Sequence, residues 1–195
     1  MKILLTTAAI AAIAALATPA AAQRVPAAVV AVVDTNRVTA ECTACRTASA
    51  ALQAQVNALR TRQQQLQASL QPEATALEAA GKALAGKQPD AALLARGRAL
   101  EAKQNAANTE LGRQQQQIQR NQQYVLQQIG AKLDPVIQQV MVARGANLVI
   151  DASAALRSTP ALDVTADVLT ALNAALPSLA TTAPAAPAPA TPPRR

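Results

Sequence analysis

Residues 52–84 read LQAQVNALRTRQQQLQASLQPEATALEAAGKAL. Within them Leu52, Val56, Leu59, Leu66, Leu70, Leu77 and Leu84 fall on an alternating four-three spacing, with Gln63 filling a gap. That is the period of a helix laid against another helix. Beyond Gly81, Gly86 and Pro89-Asp90 the pattern resumes: Leu100, Leu111, Ile118, Val125, Ile129, Val136 and Val140 recur at intervals of four, seven or eleven residues. The reading is a long helix out, a tip at about 81–90 and a long helix back, with the arm proper over 46–132. Asp90 is a natural N-cap for the return. Pro72 sits inside the outgoing helix, where it deletes a hydrogen bond and should kink or break it. Arms of ~40 and ~50 residues at 1.5 Å rise reach roughly 60–75 Å. A chain shaped this way projects something and grips or spaces, and is poorly built to hold a reaction centre.

The flanks are short and strand-like. Val29-Val30-Ala31-Val32-Val33 is a buried-strand run ending at Asp34, after which Thr35-Asn36-Arg37 turns into helix. At the other end Gly145 closes the returning helix, and Asn147-Leu148-Val149-Ile150-Asp151 forms a second strand. Thr159-Pro160 is a turn. Thr165 is read as the N-cap of a final amphipathic helix whose inner face is Val168, Leu169, Leu172 and Leu176. The fold class is therefore α+β: a small β body built from both chain ends, 23–45 and 133–179, with a long protruding α-helical hairpin of coiled-coil arms.

Both termini stand apart from this fold. Lys2, the apolar run Ile3 to Leu16, Thr18-Pro19 and Ala20-Ala21-Ala22 compose a secretory signal peptide over 1–22, cleaved after Ala22. The expected compartment is a bacterial periplasm. Residues 180–195 are Ala, Pro and Thr with two closing arginines, read as an extended, disordered tail.

Composition narrows the function further. The candidate body spans roughly 70 residues, a size at which a lone core is marginal. It has no aromatic residue, since the one tyrosine, Tyr124, lies in the returning helix. Subunit association is expected to complete the core, so a homo-oligomer is the predicted state. Eighteen Lys and Arg stand against eleven Asp and Glu, a net charge of +7, and the excess lies on the arms. Basic arms attract acidic chains or anionic lipid in a salt-dependent way. Export and the lack of aromatic stacking platforms argue against nucleic acid.

The strand Val29–Val33 with Asp34-Thr35-Asn36-Arg37-Val38, the segment Asn147 to Ala152, and Asp163-Val164-Thr165-Ala166-Asp167-Val168-Leu169 resemble the Skp/OmpH family of periplasmic chaperones. The order strand, helical hairpin, strand, terminal helix is also that family's, over nearly the whole mature chain to about Ala175. The resemblance implies a trimer whose β bodies join and whose arms enclose a cavity. It also implies ATP-independent holding of unfolded outer-membrane proteins. Departures from the pattern are the Gln-rich arms, the scarcity of aromatics, a Cys pair and the Pro/Ala tail.

Two motifs invite other readings. Cys42-Thr43-Ala44-Cys45 is a C-x-x-C. It fits a structural disulfide, within one chain or between subunits, or two small buried residues. A redox-active pair is a further reading, although a thioredoxin-like site would need an α/β surround. Metal binding lacks ligands, because the chain has no His and no second Cys pair. Gly81-Lys82-Ala83-Leu84-Ala85-Gly86-Lys87-Gln88 almost spells a phosphate-binding loop, but Gln88 stands where Ser or Thr should be and no strand precedes it. A flexible basic tip remains.

The resulting expectation is a non-enzymatic holdase without cofactor or metal. Client contacts are assigned to Leu66, Leu77, Lys82, Lys87, Arg96, Arg98 and Lys103. Trimer contacts are assigned to Val29, Val30, Val32, Val33, Leu148 and Ile150. The basic tip is a candidate for peripheral contact with anionic membrane or lipopolysaccharide. The rival readings are a periplasmic coiled-coil adaptor linking envelope components and, third, a thiol oxidoreductase at Cys42 and Cys45.

Overall fold

A computed structural model of the chain describes residues 26–184. The signal peptide expected over 1–22 lies outside the described residues, as do tail residues 185–195. The order of elements is β1 (Val30–Val33), α1 (Thr35–Glu41), α2 (Thr43–Ala83), α3 (Ala91–Ala143), β2 (Leu148–Asp151) and α4 (Thr165–Ala175), with two 3-10 turns, Ala152–Ala154 and Pro160–Leu162, before α4.

The hairpin follows from its periodicity. Leu100, Val125, Ile129, Val136 and Val140 are buried on α3, and Leu52, Val56, Leu59, Leu66, Leu70 and Leu77 are half-buried on α2, because one partner helix covers one side of a seam. Gln63 is exposed. Asp90 caps α3, its Oδ1 accepting Leu93 N–H at 2.7 Å. Two residues at the tip take positive φ, Ala85 at 46° and Gly86 at 88°, which turns the chain between the arms.

Pro72 does not end α2, which runs through it. It removes a single bond, to the carbonyl of the exposed Ala68, which water can satisfy, while the leucine seam on either side keeps the helix docked. Helix α3 likewise runs through Pro135. It ends in a Schellman motif: Gly145, at φ 66°, donates to Val142 C=O at 3.0 Å, and Ala146 donates to Met141 C=O at 2.9 Å.

The body is a parallel two-stranded sheet with Val30 opposite Leu148 and Val33 opposite Asp151. On its other side β1 makes an isolated bridge from Val32 to Asp163. Sheet, α1, α4 and the arm roots enclose one core that includes Val33, Val38, Cys42, Val136, Val168 and Leu172. Every one of these side chains is aliphatic or sulfur-bearing, so tight packing of small groups replaces the area an aromatic would bury.

The start of α4 differs from its sequence reading. Thr165 is the first helical residue and does not cap. Its hydroxyl is turned to β1, where it accepts Asp34 N–H at 3.0 Å. Asp163 supplies the cap, its Oδ1 accepting Thr165 N–H at 2.9 Å.

The tail also departs from expectation at its beginning. Residues 180–184 are not helical and bend at Thr182, but they lie along the arm roots, hydrogen-bonded to Gln55, Asn121 and Gln128. Proline deprives such a segment of helix, not of a partner that can bond its backbone.

Candidate functional site

The arms project from the body as paired helices of 41 and 53 residues, roughly 60 and 80 Å at 1.5 Å per residue. Their surface is the largest the molecule offers to a partner. Two ion pairs cross between them. Arg62 is bidentate to Glu110, at 2.7 and 3.1 Å, and Lys103 meets Glu73 at 2.6 Å. The Arg62 guanidinium holds the Glu110 carboxyl below its usual range. Both pairs are open to solvent on at least one side, so they fix the register of the arms more than they stabilise them.

The side chains read as client contacts fall into three groups. Leu66 and Leu77 are half-buried on the face that meets α3, so their first role is to join the arms. Lys82 pairs with Glu78 one turn away at 2.6 Å, and Lys103 is committed to Glu73. Lys87, Arg96 and Arg98 are exposed and make no ion pair among the described residues. With the half-exposed Leu94 they make the tip end of the arms cationic and partly apolar, Leu94 and Arg98 on one face of α3 and Arg96 on another.

Leu94 and Leu126 went unnoticed in the sequence. Leu126 is 68% exposed. Each is the second member of an apolar doublet, Leu93-Leu94 and Val125-Leu126. Consecutive helical residues lie about 100° apart, so both members cannot enter one seam. The doublets were the available signal. Leu126 flanks an apolar groove at the arm root that also touches Leu52, Val125, Ile129 and Cys45.

The residues read as trimer contacts are also divided. Val32 and Val33 are buried within the protomer, Val30 and Ile150 are half-buried, and Val29 and Leu148 are about half exposed. Exposed Val142, Leu156 and Leu162 add to the apolar surface outside the core. The outer edge of β2 has no strand partner among the described residues.

Cys42 and Cys45 are joined as a disulfide within the chain, at the joint between α1 and α2. Cys42 is fully buried and Cys45 nearly so. Cys42 Sγ accepts Cys45 N–H at 3.3 Å, and Asn173 Oδ1, from α4, accepts Thr43 N–H at 2.9 Å. Two of the free N–H groups that open α2 are thereby satisfied. Among the described residues no cluster of His, Cys, Asp or Glu is arranged to hold a metal, and no helix is long and apolar enough to cross a membrane.

A long helical hairpin rising from a small body of both chain ends is also what comparison with known proteins returns. The family model described as outer membrane protein (OmpH-like) matches residues 29–172. The chain belongs to the OmpH-like family. The match begins at β1 and ends within α4, so it takes in body and arms together. Among solved structures, a protein of Caulobacter crescentus CB15, described as a candidate outer membrane chaperone (OmpH-like), superimposes with a TM-score of 0.67. The two are 24% identical, and the alignment covers 80% of this chain and 90% of that one. At that identity the likeness establishes the OmpH-like α+β fold. No match was found among curated proteins.

Proposed function

We propose that this OmpH-like chain is an ATP-independent holdase of the periplasm, which binds unfolded outer-membrane proteins between its arms and keeps them from aggregating. Family membership across body and arms carries the reading. It is supported by a surface that offers weak contacts at both ends of the arms: exposed Leu94 and the cations Lys87, Arg96 and Arg98 toward the tip, and exposed Leu126 beside the apolar groove at the root. Barrel precursors alternate apolar and polar side chains and expose unpaired strands in water. Contacts that are weak singly and numerous together bind such chains tightly yet release them without fuel. The basic tip would also permit peripheral contact with anionic membrane or lipopolysaccharide.

The assembly expected with this function is a homotrimer joined through the bodies. The open edge of β2 and the exposed Val29, Leu148 and Leu156 support it, since an uncovered strand edge beside apolar surface favours association. The test is dilution of a urea-unfolded outer-membrane β-barrel protein into buffer containing the mature chain without ATP, followed by light scattering at low and high salt. Suppressed scattering that weakens with salt is expected. Unchanged scattering from a folded chain would reject the holdase and favour a structural adaptor.

A further inference from the structure

Past α4 the chain turns and runs back along the root of the arms. Leu179, Thr181 and Ala183 are half-buried, while Ala180, Thr182 and Pro184 are exposed. Alternate residues thus face the arms, although the chain bends at Thr182. The bonds that hold it use its backbone. Ala180 N–H donates to Gln128 Oε1 at 3.1 Å, and Ala180 C=O accepts Gln128 Nε2 at 2.9 Å. Thr181 C=O accepts Gln55 Nε2 at 3.1 Å, and Ala183 N–H donates to Asn121 Oδ1 at 2.8 Å.

The amides doing this are themselves fixed. Asn121, only 3% exposed, donates to Gln55 Oε1 at 2.8 Å and accepts Gln117 Nε2 at 2.8 Å. Beyond Asn121 the groove continues toward the tip, floored by Leu59 and Ile118 and rimmed by Gln114 and Gln117.

A carboxamide carries both donors and an acceptor, as a peptide group does. Gln128 therefore grips Ala180 as the edge of a neighbouring strand would, and these bonds read no side chain. We propose that this arm-root groove is a binding site for non-helical polypeptide backbone, occupied at rest by the chain's own residues 180–184, which a client segment displaces. The inference rests on the holdase reading above. An unfolded client presents unpaired N–H and C=O groups whatever its sequence, and a site selective for backbone suits so varied a ligand. A tethered segment competes at an effective concentration on the order of millimolar. A client must therefore engage the arms at several points to displace it, which discriminates against folded proteins and short peptides.

The test uses a fluorescent peptide of residues 177–195 and two chains, the full mature protein and one ending at Leu179. Anisotropy should report binding to the shortened chain and at least tenfold weaker binding to the full one. Gln128→Ala in the shortened chain should lose at least tenfold, with its thermal unfolding curve unchanged. Unfolded barrel protein should release the bound peptide, and the shortened chain should suppress aggregation at lower concentration than the full one. Equal peptide binding by both chains, or binding by neither, would overturn the proposal. So would peptide and client bound together, or a shortened chain whose loss of holding tracks a loss of stability. Displaceable peptide with no client held by either chain would leave the groove a backbone site and reject the holdase reading instead.

Discussion

The hydroxyl oxygen of Thr165 accepts the backbone N–H of Asp34 at 3.0 Å, joining residues 131 apart in sequence. Thr165 is buried, and this bond locks the start of α4 to the exit of β1. Thr165→Val keeps the shape and removes the acceptor, leaving Asp34 N–H unpaired. A loss of about 1–3 kcal/mol is expected, read as a lower urea midpoint at constant m-value. Thr165→Ser should restore most of it.

Acid should loosen the body through Asp151. The hydroxyl of Ser153, then that of Thr35 at 2.5 Å, with both residues' backbone N–H groups, hold its carboxyl well below the usual range. A depressed value in the folded state means the ionised form is the one favoured by folding. That contribution is complete above the unfolded carboxyl value of about 3.9 and fades as pH falls below it. Asp163, held down by Thr165, acts in the same direction. Urea midpoints should fall between pH 5 and pH 3, and Asp151→Asn should be less stable at pH 7 with a flatter acid limb.

The disulfide closes a loop between residues separated by three positions, so its constraint on the unfolded chain is small, about 2 kcal/mol or less. Cys42→Ser with Cys45→Ser should lower the melting temperature modestly and leave suppression of aggregation intact. Loss of holding without loss of fold would instead assign the pair a redox role.

At the tip, Lys87→Gln, Arg96→Gln and Arg98→Gln together remove three unpaired charges and touch no ion pair among the described residues. Stability should be unchanged. If each exposed contact with an acidic client contributes about 0.5 kcal/mol, affinity falls roughly tenfold at low salt and little at high salt. An isotherm in each salt checks it.

Leu66 and Leu94 should separate packing from binding. Leu66→Ala opens the seam and should cost about 1–2 kcal/mol of arm stability, visible as faster amide exchange in α2 and α3. Leu94→Ser, on exposed surface, should leave exchange unaltered and weaken client binding.

The arms were legible in the sequence because a seven-residue repeat over two helices is redundant: losing Leu at Gln63 or placing Pro72 mid-run does not obscure it. The two strands were legible as apolar runs bounded by Asp34 and Asp151. Their parallel pairing was not, since nothing local distinguishes one direction from the other. Thr165 was misread because a threonine at a helix start is usually a cap, and whether its hydroxyl turns inward or across depends on a partner far away in the chain. The docking of residues 180–184 was hidden for a related reason: the partners are glutamines and an asparagine whose spacing carries no apolar period. The exposed leucines of the candidate site lay in doublets, a signal that the repeat itself obscures.

Because Val30 pairs with Leu148, the sheet must close a loop of more than a hundred residues, which in a flexible chain would be slow and entropically unfavourable. Here the loop closes itself. Once the turn at Ala85 and Gly86 forms, the helices can zip from the tip downward by short-range steps and deliver the two strand segments side by side. The work of finding the partner strand is then nearly independent of arm length. Removing one heptad from each arm at matching heights should leave the refolding rate and the body almost unchanged. Length in this hairpin is therefore a dimension that evolution can adjust freely, setting the reach of the arms without renegotiating how the molecule folds.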